Sequence, residues 1–410
     1  MARPPAPNVA FVALSAPNAT FGPARGGCAT VAGVRVLIAP DGFGGTMAAG
    51  QAADAIATGW RRGAPADEPS VLPLSDGGPG FVDVLHAALG GILHDRRVTG
   101  PLGEPVDVQW LEHAGTAYVE SAQACGLALV PDGVRRPGEA TTRGVGEMLR
   151  AVLASGVRRA VIGLGGTAST DGGAGLLAAL GAVPLDGDGR PLPDGGLALA
   201  DCHRLSTWPP GLGGGIALDG IELVAATDVD SPLLGPDGAA AVFGPQKGAD
   251  PATVRGLDAA LTRWAGVLAA TSGRDVRAEP GAGAAGGMGA ALLALGAVRE
   301  SGAGLVRRVT GLDEAMDGAG LAVTGEGRFD WQSLRGKVVT AVAAAAVQHG
   351  VPCVLLAGQV AVGRREAAAI GVDAAYAVAE HTGSLDAAFA DPAGTLAGLA
   401  EHVARQWGGQ

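Results

Sequence analysis

Continuous apolar runs that end in loops of glycine and carboxylate recur along this 410-residue chain. The first, Arg35–Ala39, leads into Asp41-Gly-Phe-Gly-Gly-Thr46, and a second, Val71–Leu74, into Ser75-Asp-Gly-Gly-Pro-Gly80. Runs without polar alternation suit strands covered on both faces, as in a parallel sheet flanked by helices. Helical patterns follow each loop, near Ala48–Arg62 and through Leu89. This βαβα start sets its polar loops at strand C-termini, where open α/β sheets bind ligands.

The pattern then changes. Ile92–Val98, Val106–Glu112 and Thr116–Ser121 read as short strands with hairpin-like connections. A helix near Thr142–Ala154 precedes a strand at Ala160–Gly163; another strand follows at Glu222–Ala226 and a long helix near Pro251–Thr271. Beyond Gly281–Gly289 the α/β alternation resumes, with strands at Leu321–Thr324, Pro352–Leu356 and Asp373–Ala377. A chain of this length exceeds one core. The expected fold is α/β: a discontinuous Rossmann-like parallel-sheet domain from residues 34–90 and 286–410, a mixed α/β domain inserted at 91–285, and a site in the interdomain cleft. Residues 1–33, rich in Pro, Ala and Gly, read as a disordered tail or an over-extended start.

Charge narrows the function. A net charge of −11 counts against nucleic acid and anionic membranes as partners, and no apolar run reaches the length of a bilayer span. Cys28, Cys125, Cys202 and Cys353 are widely spaced and the seven histidines are scattered, which suits a reduced, cytoplasmic protein without a zinc site. Small-molecule ligands remain, and a homo-oligomer is compatible with all of this.

Of 29 basic side chains only Lys247 and Lys337 are lysine, and both lie in glycine-bearing loops. A lysine is a compact charge on a flexible stem, suited to following a moving phosphoryl group, whereas arginine is a planar fork. Four loops combine glycine with carboxylates: Asp41–Gly45, Asp76–Gly78, Gly163–Gly175 and Thr324–Asp330. Glycines admit phosphate oxygens to backbone N–H groups, and carboxylates beside phosphate imply a bridging cation. Ala226-Thr-Asp-Val-Asp-Ser-Pro232 adds two more carboxylates after a strand. Residues 163–168 also match G-x-G-x-x-A, with Asp186 or Asp188 at a plausible distance for a ribose contact, which leaves an NAD(P)-dependent oxidoreductase as the rival reading. Against it, Ser169, Thr170 and Asp171 lengthen the loop and set a carboxylate against the pyrophosphate. No Walker A sequence is present, so a phosphotransferase here must use another fold.

Together and in order, Ile38-Ala-Pro-Asp41, Leu74-Ser-Asp-Gly-Gly78, Gly165–Gly175, Phe243-Gly-Pro-Gln-Lys-Gly248, Gly283–Gly289 and Thr324-Gly-Glu-Gly-Arg-Phe-Asp330 with Gln332 and Gly336-Lys337 resemble the type I glycerate kinases over about residues 34–380. The resemblance implies ATP-dependent phosphorylation of D-glycerate to 2- or 3-phosphoglycerate, Mg2+, and a two-domain α/β fold. Three loops depart from the family's usual pattern. The first loop has glycine at Gly42 and Gly44 where a Lys usually stands at one or the other. Pro79 and Phe81 replace Glu and Thr, and Thr170 replaces Asn. With that first-loop Lys missing, a catalytically impaired, glycerate-kinase-like binding protein is a further alternative.

On this reading Asp228, Asp230, Glu326 and Asp330 are the candidate metal ligands. Lys247, Lys337 and Arg328 balance charge, and Asp76 or Asp171 takes the proton of the attacked hydroxyl. Gly165, Gly166, Thr167, Gly172 and Gly173 offer backbone donors. Asp41, Gly77, Gly78, Gln246 and Gln332 complete the substrate and nucleotide contacts.

Overall fold

The computed structural model describes residues 33–131, 133–208, 220–334 and 336–407. The N-terminal segment expected as a tail, residues 1–32 of it, lies outside these. The described chain from Gly33 onward is one compact unit.

Thirteen strands are present among the described residues: β1 Arg35–Ile38, β2 Glu68–Val71, β3 Ile92–Thr99, β4 Pro105–His113, β5 Thr116–Glu120, β6 Arg159–Gly163, β7 Pro184–Leu185, β8 Arg204–Leu205, β9 Glu222–Ala226, β10 Val298–Glu300, β11 Leu321–Phe329, β12 Cys353–Val360 and β13 Ala374–Ala377. Five form a wholly parallel sheet in the order β13-β12-β11-β1-β2. Six form a mixed sheet in the order β10-β9-β6-β5-β4-β3, parallel from β5 through β10 and antiparallel at the β3-β4-β5 meander. β7 and β8 pair antiparallel as a small separate sheet.

Side-chain alternation distributes the core over both faces of each sheet. Val36 and Ile38 of β1, with Val354 and Leu356 of β12, pack under the helices Ala49–Gly63 and Pro392–Trp407. Leu37, Ala322 and Leu355 face the other way. They share one apolar cluster with Leu111, Tyr118, Val161 and Val224 of the mixed sheet, filled by Phe81, Leu85, Leu305 and Val342 from helices between. The remaining face of the mixed sheet, through Ile162, Leu223 and Ala225, is covered by Met148, Leu261 and Trp264.

The structure departs from the sequence expectation in three places. The second strand is Glu68–Val71 rather than Val71–Leu74: it is the sheet edge, its residues are mostly exposed, and so the apolar run marks only its end. The stretch Thr324–Phe329, expected as loop, continues β11 and pairs with β12 as far as Val360. Val298–Glu300, three residues long and preceded by Gly296, escaped notice and joins the mixed sheet beside β9, inside a span assigned to the other domain.

The parallel sheet switches direction between β1 and β11: the chain proceeds outward from β1 to β2 and, on the other side, from β11 to β13. Ligand crevices open at such a point. There the loop Ser75–Gly80, arriving from β2, is wedged against the C-terminal ends of the mixed sheet. A Cβ on Gly163 would stand 2.5 Å from the Gly77 carbonyl oxygen, one on Gly165 2.6 Å from the Gly78 Cα, and one on Gly302 1.9 Å from the Asp76 carbonyl oxygen. Gly302→Ala is therefore expected to destabilise the protein by about 1–3 kcal/mol through overpacking. Gly266→Ala, on an open face of the helix Pro251–Ser272, is expected to stabilise by about 0.5–1 kcal/mol. Denaturant titration of the two variants checks the contrast.

Candidate active site

Asp41 follows β1, and its backbone N–H reaches the Gly325 carbonyl at 2.8 Å. Glu326 lies in β11 next to it, 7% exposed, with Oε1 buried and accepting no hydrogen bond. Asp76 is half-buried on the wedged loop, its Oδ1 accepting the Gly78 N–H at 3.1 Å. Lys337 is the residue before the helix Val338–His349. Asp41, Asp76, Glu326 and Asp330 all act on Lys337: burial opposes its charge, but these carboxylates outweigh burial and raise its pKa.

An excess of carboxylate around one ammonium leaves the acids uncomfortable. Burial first, then Asp76, holds Asp41 well above the usual carboxylate range. Burial pushes Glu326 up to about 7, against the pull of the Ser333 hydroxyl and Lys337 and with the push of Asp330 and Asp76. Asp228, after β9, is raised to about 6 by burial and by Asp76, although its oxygens accept from the Ser301 hydroxyl at 2.6 Å and the Ala303 N–H at 2.9 Å. A carboxyl oxygen left unbonded in a buried acidic setting is costly and suits a cationic ligand.

The other residues singled out in the sequence are placed differently. Asp171 is fully buried and spends its oxygens on Thr142 N (2.8 Å), Thr142 Oγ1 (2.9 Å), Gly173 N (3.1 Å) and Gly175 N (3.2 Å). It staples its own loop to the helix Arg143–Ala154 and is not available as a base. Lys247 is 3% exposed; its Nζ bonds the Ser169 carbonyl at 2.5 Å and Thr167 Oγ1 at 3.4 Å, and burial lowers its pKa to about 8. It braces the loop from within and does not face solvent where a phosphoryl group would move. The same loop is held by Trp264 Nε1 on the Gly172 carbonyl (2.9 Å) and by the Gly286 carbonyl on the Gly172 N–H (3.0 Å). Gly172, Gly173 and Thr167 are buried in this bracing, whereas Gly165 and Gly166 reach the surface, the latter against Pro79. Asp230 turns outward to Arg299 and is exposed, so it stands apart from Asp228. Arg328 is exposed, its Nε 3.5 Å from Asp330 Oδ2. Gln332 is exposed beside Asp330, whose Oδ1 accepts its N–H at 2.9 Å, and Gln246, also exposed, offers its carbonyl to Arg135 at 3.1 Å.

Two of the departures have local explanations. Phe81 is fully buried, with its ring centroid 6.3 Å from that of Tyr118 in an edge-to-face contact, so a core aromatic replaces a polar loop residue. Gly44 and Gly45 have positive φ and open space around them. The sequence reading missed Glu120, a 4%-exposed carboxylate at the end of β5; the signal available was an acid closing an apolar strand. An open pocket of about 510 Å3 lies elsewhere, lined by Thr141, Glu139 and Asp194, with none of the acids around Lys337 in its wall.

The oxidoreductase reading fails on geometry. After the loop the helix begins only at Ala174, and Asp186 Oδ1 is consumed by the N–H groups of Asp188 (2.9 Å) and Arg190 (2.8 Å) in a turn. What the structure shows instead is an α/β fold with acids and one lysine gathered near the switch point of its parallel sheet. The chain belongs to the glycerate kinase family, whose profile it matches over residues 36–408. It is 40% identical to the glycerate kinase of Halalkalibacterium halodurans, covering 90% of this chain and 97% of that one, and 40% identical to the glycerate 2-kinase of Escherichia coli, covering 87% and 93%. A crystal structure of the Salmonella typhimurium LT2 protein designated glycerate kinase 2 superposes with a TM-score of 0.71 at 37% identity, covering 92% of this chain and 98% of that one. The protein is thus a kinase of the class that phosphorylates an alcohol group.

The acids of the site carry a stability cost with a definite sign. The folded state keeps Glu326 protonated up to about 7 against 4.5 for the free side chain, so its neutral form stabilises the fold below about pH 4.5 and this is lost as pH rises through 7. Glu326→Gln is expected to raise stability at pH 8 by up to about 3 kcal/mol, while abolishing turnover. Thermal melts at pH 5 and pH 8 check it: the gain belongs to the higher pH.

Proposed function

We propose that the protein transfers the terminal phosphoryl group of ATP to a hydroxyl of D-glycerate at the point where Asp41, Asp76, Glu326 and Lys337 meet. The observation that carries this is the single lysine held charged among acids at the β1–β11 switch point. Lys337, flexible and close to Asp76, is placed to follow charge on the transferring group. Asp76 takes the hydroxyl proton, since Asp171 is sealed by its own hydrogen bonds. Gly77 and Gly78, whose N–H groups bond Ser75 Oγ and Asp76 Oδ1, shape the meeting of the two loops with Gly165 and Gly166, and Arg328 and Gln332 stand at the exposed rim. The two domains of the sequence reading are taken as the two sheets, with β10 belonging to the mixed one.

Mg2+ fits this chemistry. Glu326 offers a buried, unbonded oxygen, and the neighbouring Asp41, Asp76 and Asp330 are hard oxygen donors. Among the described residues no three acidic, His or Cys side chains are grouped so as to hold a metal ion alone. The ion would therefore be held by Glu326 and Asp41 with Asp330 or Asp228 near, completed by substrate phosphates and water, and would neutralise phosphate charge there. Asp230 is left out.

A coupled ADP-release assay on D-glycerate, with the product identified by NMR, tests the proposal and assigns the 2- or 3-phosphate. ATP or glycerate binding without ADP release would instead favour the impaired binding protein. Lys337→Ala is expected to lower kcat by about 10²-fold or more, by analogy with the loss of a donor to developing charge. Lys247→Met is expected to act chiefly on stability. Because cation binding requires ionised carboxylates, Mg2+ affinity is expected to rise with pH through about 7, where Glu326 titrates, and calorimetry in two buffers should show proton release.

A further inference from the structure

Glu120 closes β5 at a depth where a carboxylate is unstable unless it is bonded. Its Oε2 accepts the Val82 N–H at 3.3 Å and the Gln123 side-chain amide at 3.5 Å, and Gln123 is itself held by the Gln109 N–H at 2.7 Å. Val82 lies in the first turn of the helix Phe81–Leu89, whose N-cap, Gly80, has no side chain to offer and a φ of 87°. A helix start leaves N–H groups without partners, and here another sheet's strand supplies the acceptor. The next residue, Ser121, donates its hydroxyl to the Gly163 carbonyl at 2.7 Å. The end of β5 therefore grips both loops that touch at Gly77–Gly163 and Gly78–Gly165.

We propose that Glu120 is a positioning residue of the site. It fixes the helix start immediately after the Ser75–Gly80 loop and so sets where Asp76 stands relative to Asp41, Glu326 and Lys337. It touches no substrate. The role needs an oxygen acceptor at this point; a Gln provides one and an Ala does not. The inference rests on the reading of Asp76 as a site residue, and one arm of its test is independent of activity.

Hydrogen exchange of residues 75–82 is compared in wild type, Glu120→Ala and Glu120→Gln, beside steady-state kinetics with ATP and D-glycerate. In the Ala variant, exchange in this segment is expected to rise about tenfold or more while Ile162 and Leu223 stay protected. kcat is expected to fall about tenfold with both KM values within twofold, and the Gln variant to restore most of each. Unchanged exchange in Glu120→Ala overturns the proposal whatever the activity. An equal kcat loss in the Ala and Gln variants overturns it too. A protein that does not phosphorylate D-glycerate but shows the exchange pattern leaves the positioning intact and sinks the glycerate kinase reading instead. If Glu120→Ala does not fold, Glu120→Asp, which withdraws the acceptor by one methylene, is read by the same criteria.

Discussion

Two glycine loops pressed backbone to backbone hold this molecule's site together. Ser75–Gly80 leaves one sheet and lies on the C-terminal ends of the other, with Gly163, Gly165 and Gly302 each too close for a side chain. That contact brings Asp76 within electrostatic reach of Asp41 and Glu326 from the parallel sheet and of Asp228 from the mixed one. Neither sheet holds all of these groups. The site exists because the loops can approach to van der Waals distance, and glycine is what permits it.

The assembled acids are held against their own interests. Glu326 and Asp228 are pushed toward neutrality by burial and by Asp76; Ser333 and Lys337 relieve the first, and Ser301, the Ala303 N–H and Arg299 the second. On the proposed reading such strain is tolerable, because binding of a cation with a polyanion would replace repulsion with attraction. The departures from the family's pattern are balanced in charge. A lysine is missing from the first loop, at Gly42 or Gly44, and a glutamate is missing at Pro79. One positive and one negative group are gone, so the net charge of the facing loops is kept.

Much of the fold is legible in the sequence because its strands are apolar without interruption and its loops carry glycine. β1, β9 and the helix Pro251–Ser272 fall close to where the patterns put them. The edge strand β2 and the three-residue β10 escape, since an edge needs little apolar surface and a short strand gives no period. Among the candidate site residues, Asp41, Asp76, Glu326 and Lys337 are singled out by their loops, and the structure brings them within electrostatic reach of one another. Lys247 and Asp171 share the same motif character and yet point inward. Composition and spacing mark residues that matter, but whether a charged group faces ligand or braces a loop is decided by packing from distant segments, here Trp264 and Gly286. Glu120 is hidden for the same reason: its partner, Val82, is 38 residues away.

The contrast between the loops has an evolutionary consequence. Ser75–Gly80 and Gly163–Gly166 interlock, so a side chain gained in one demands a matching retreat in the other, and single substitutions there are trapped. Asp41–Gly45 is different: Gly44 and Gly45 have no atom within 4 Å of an added Cβ, and only their backbone conformation resists replacement. At Gly44 and Gly45 the first loop has room to gain atoms that Gly163 and Gly165, pressed against the facing loop, do not have.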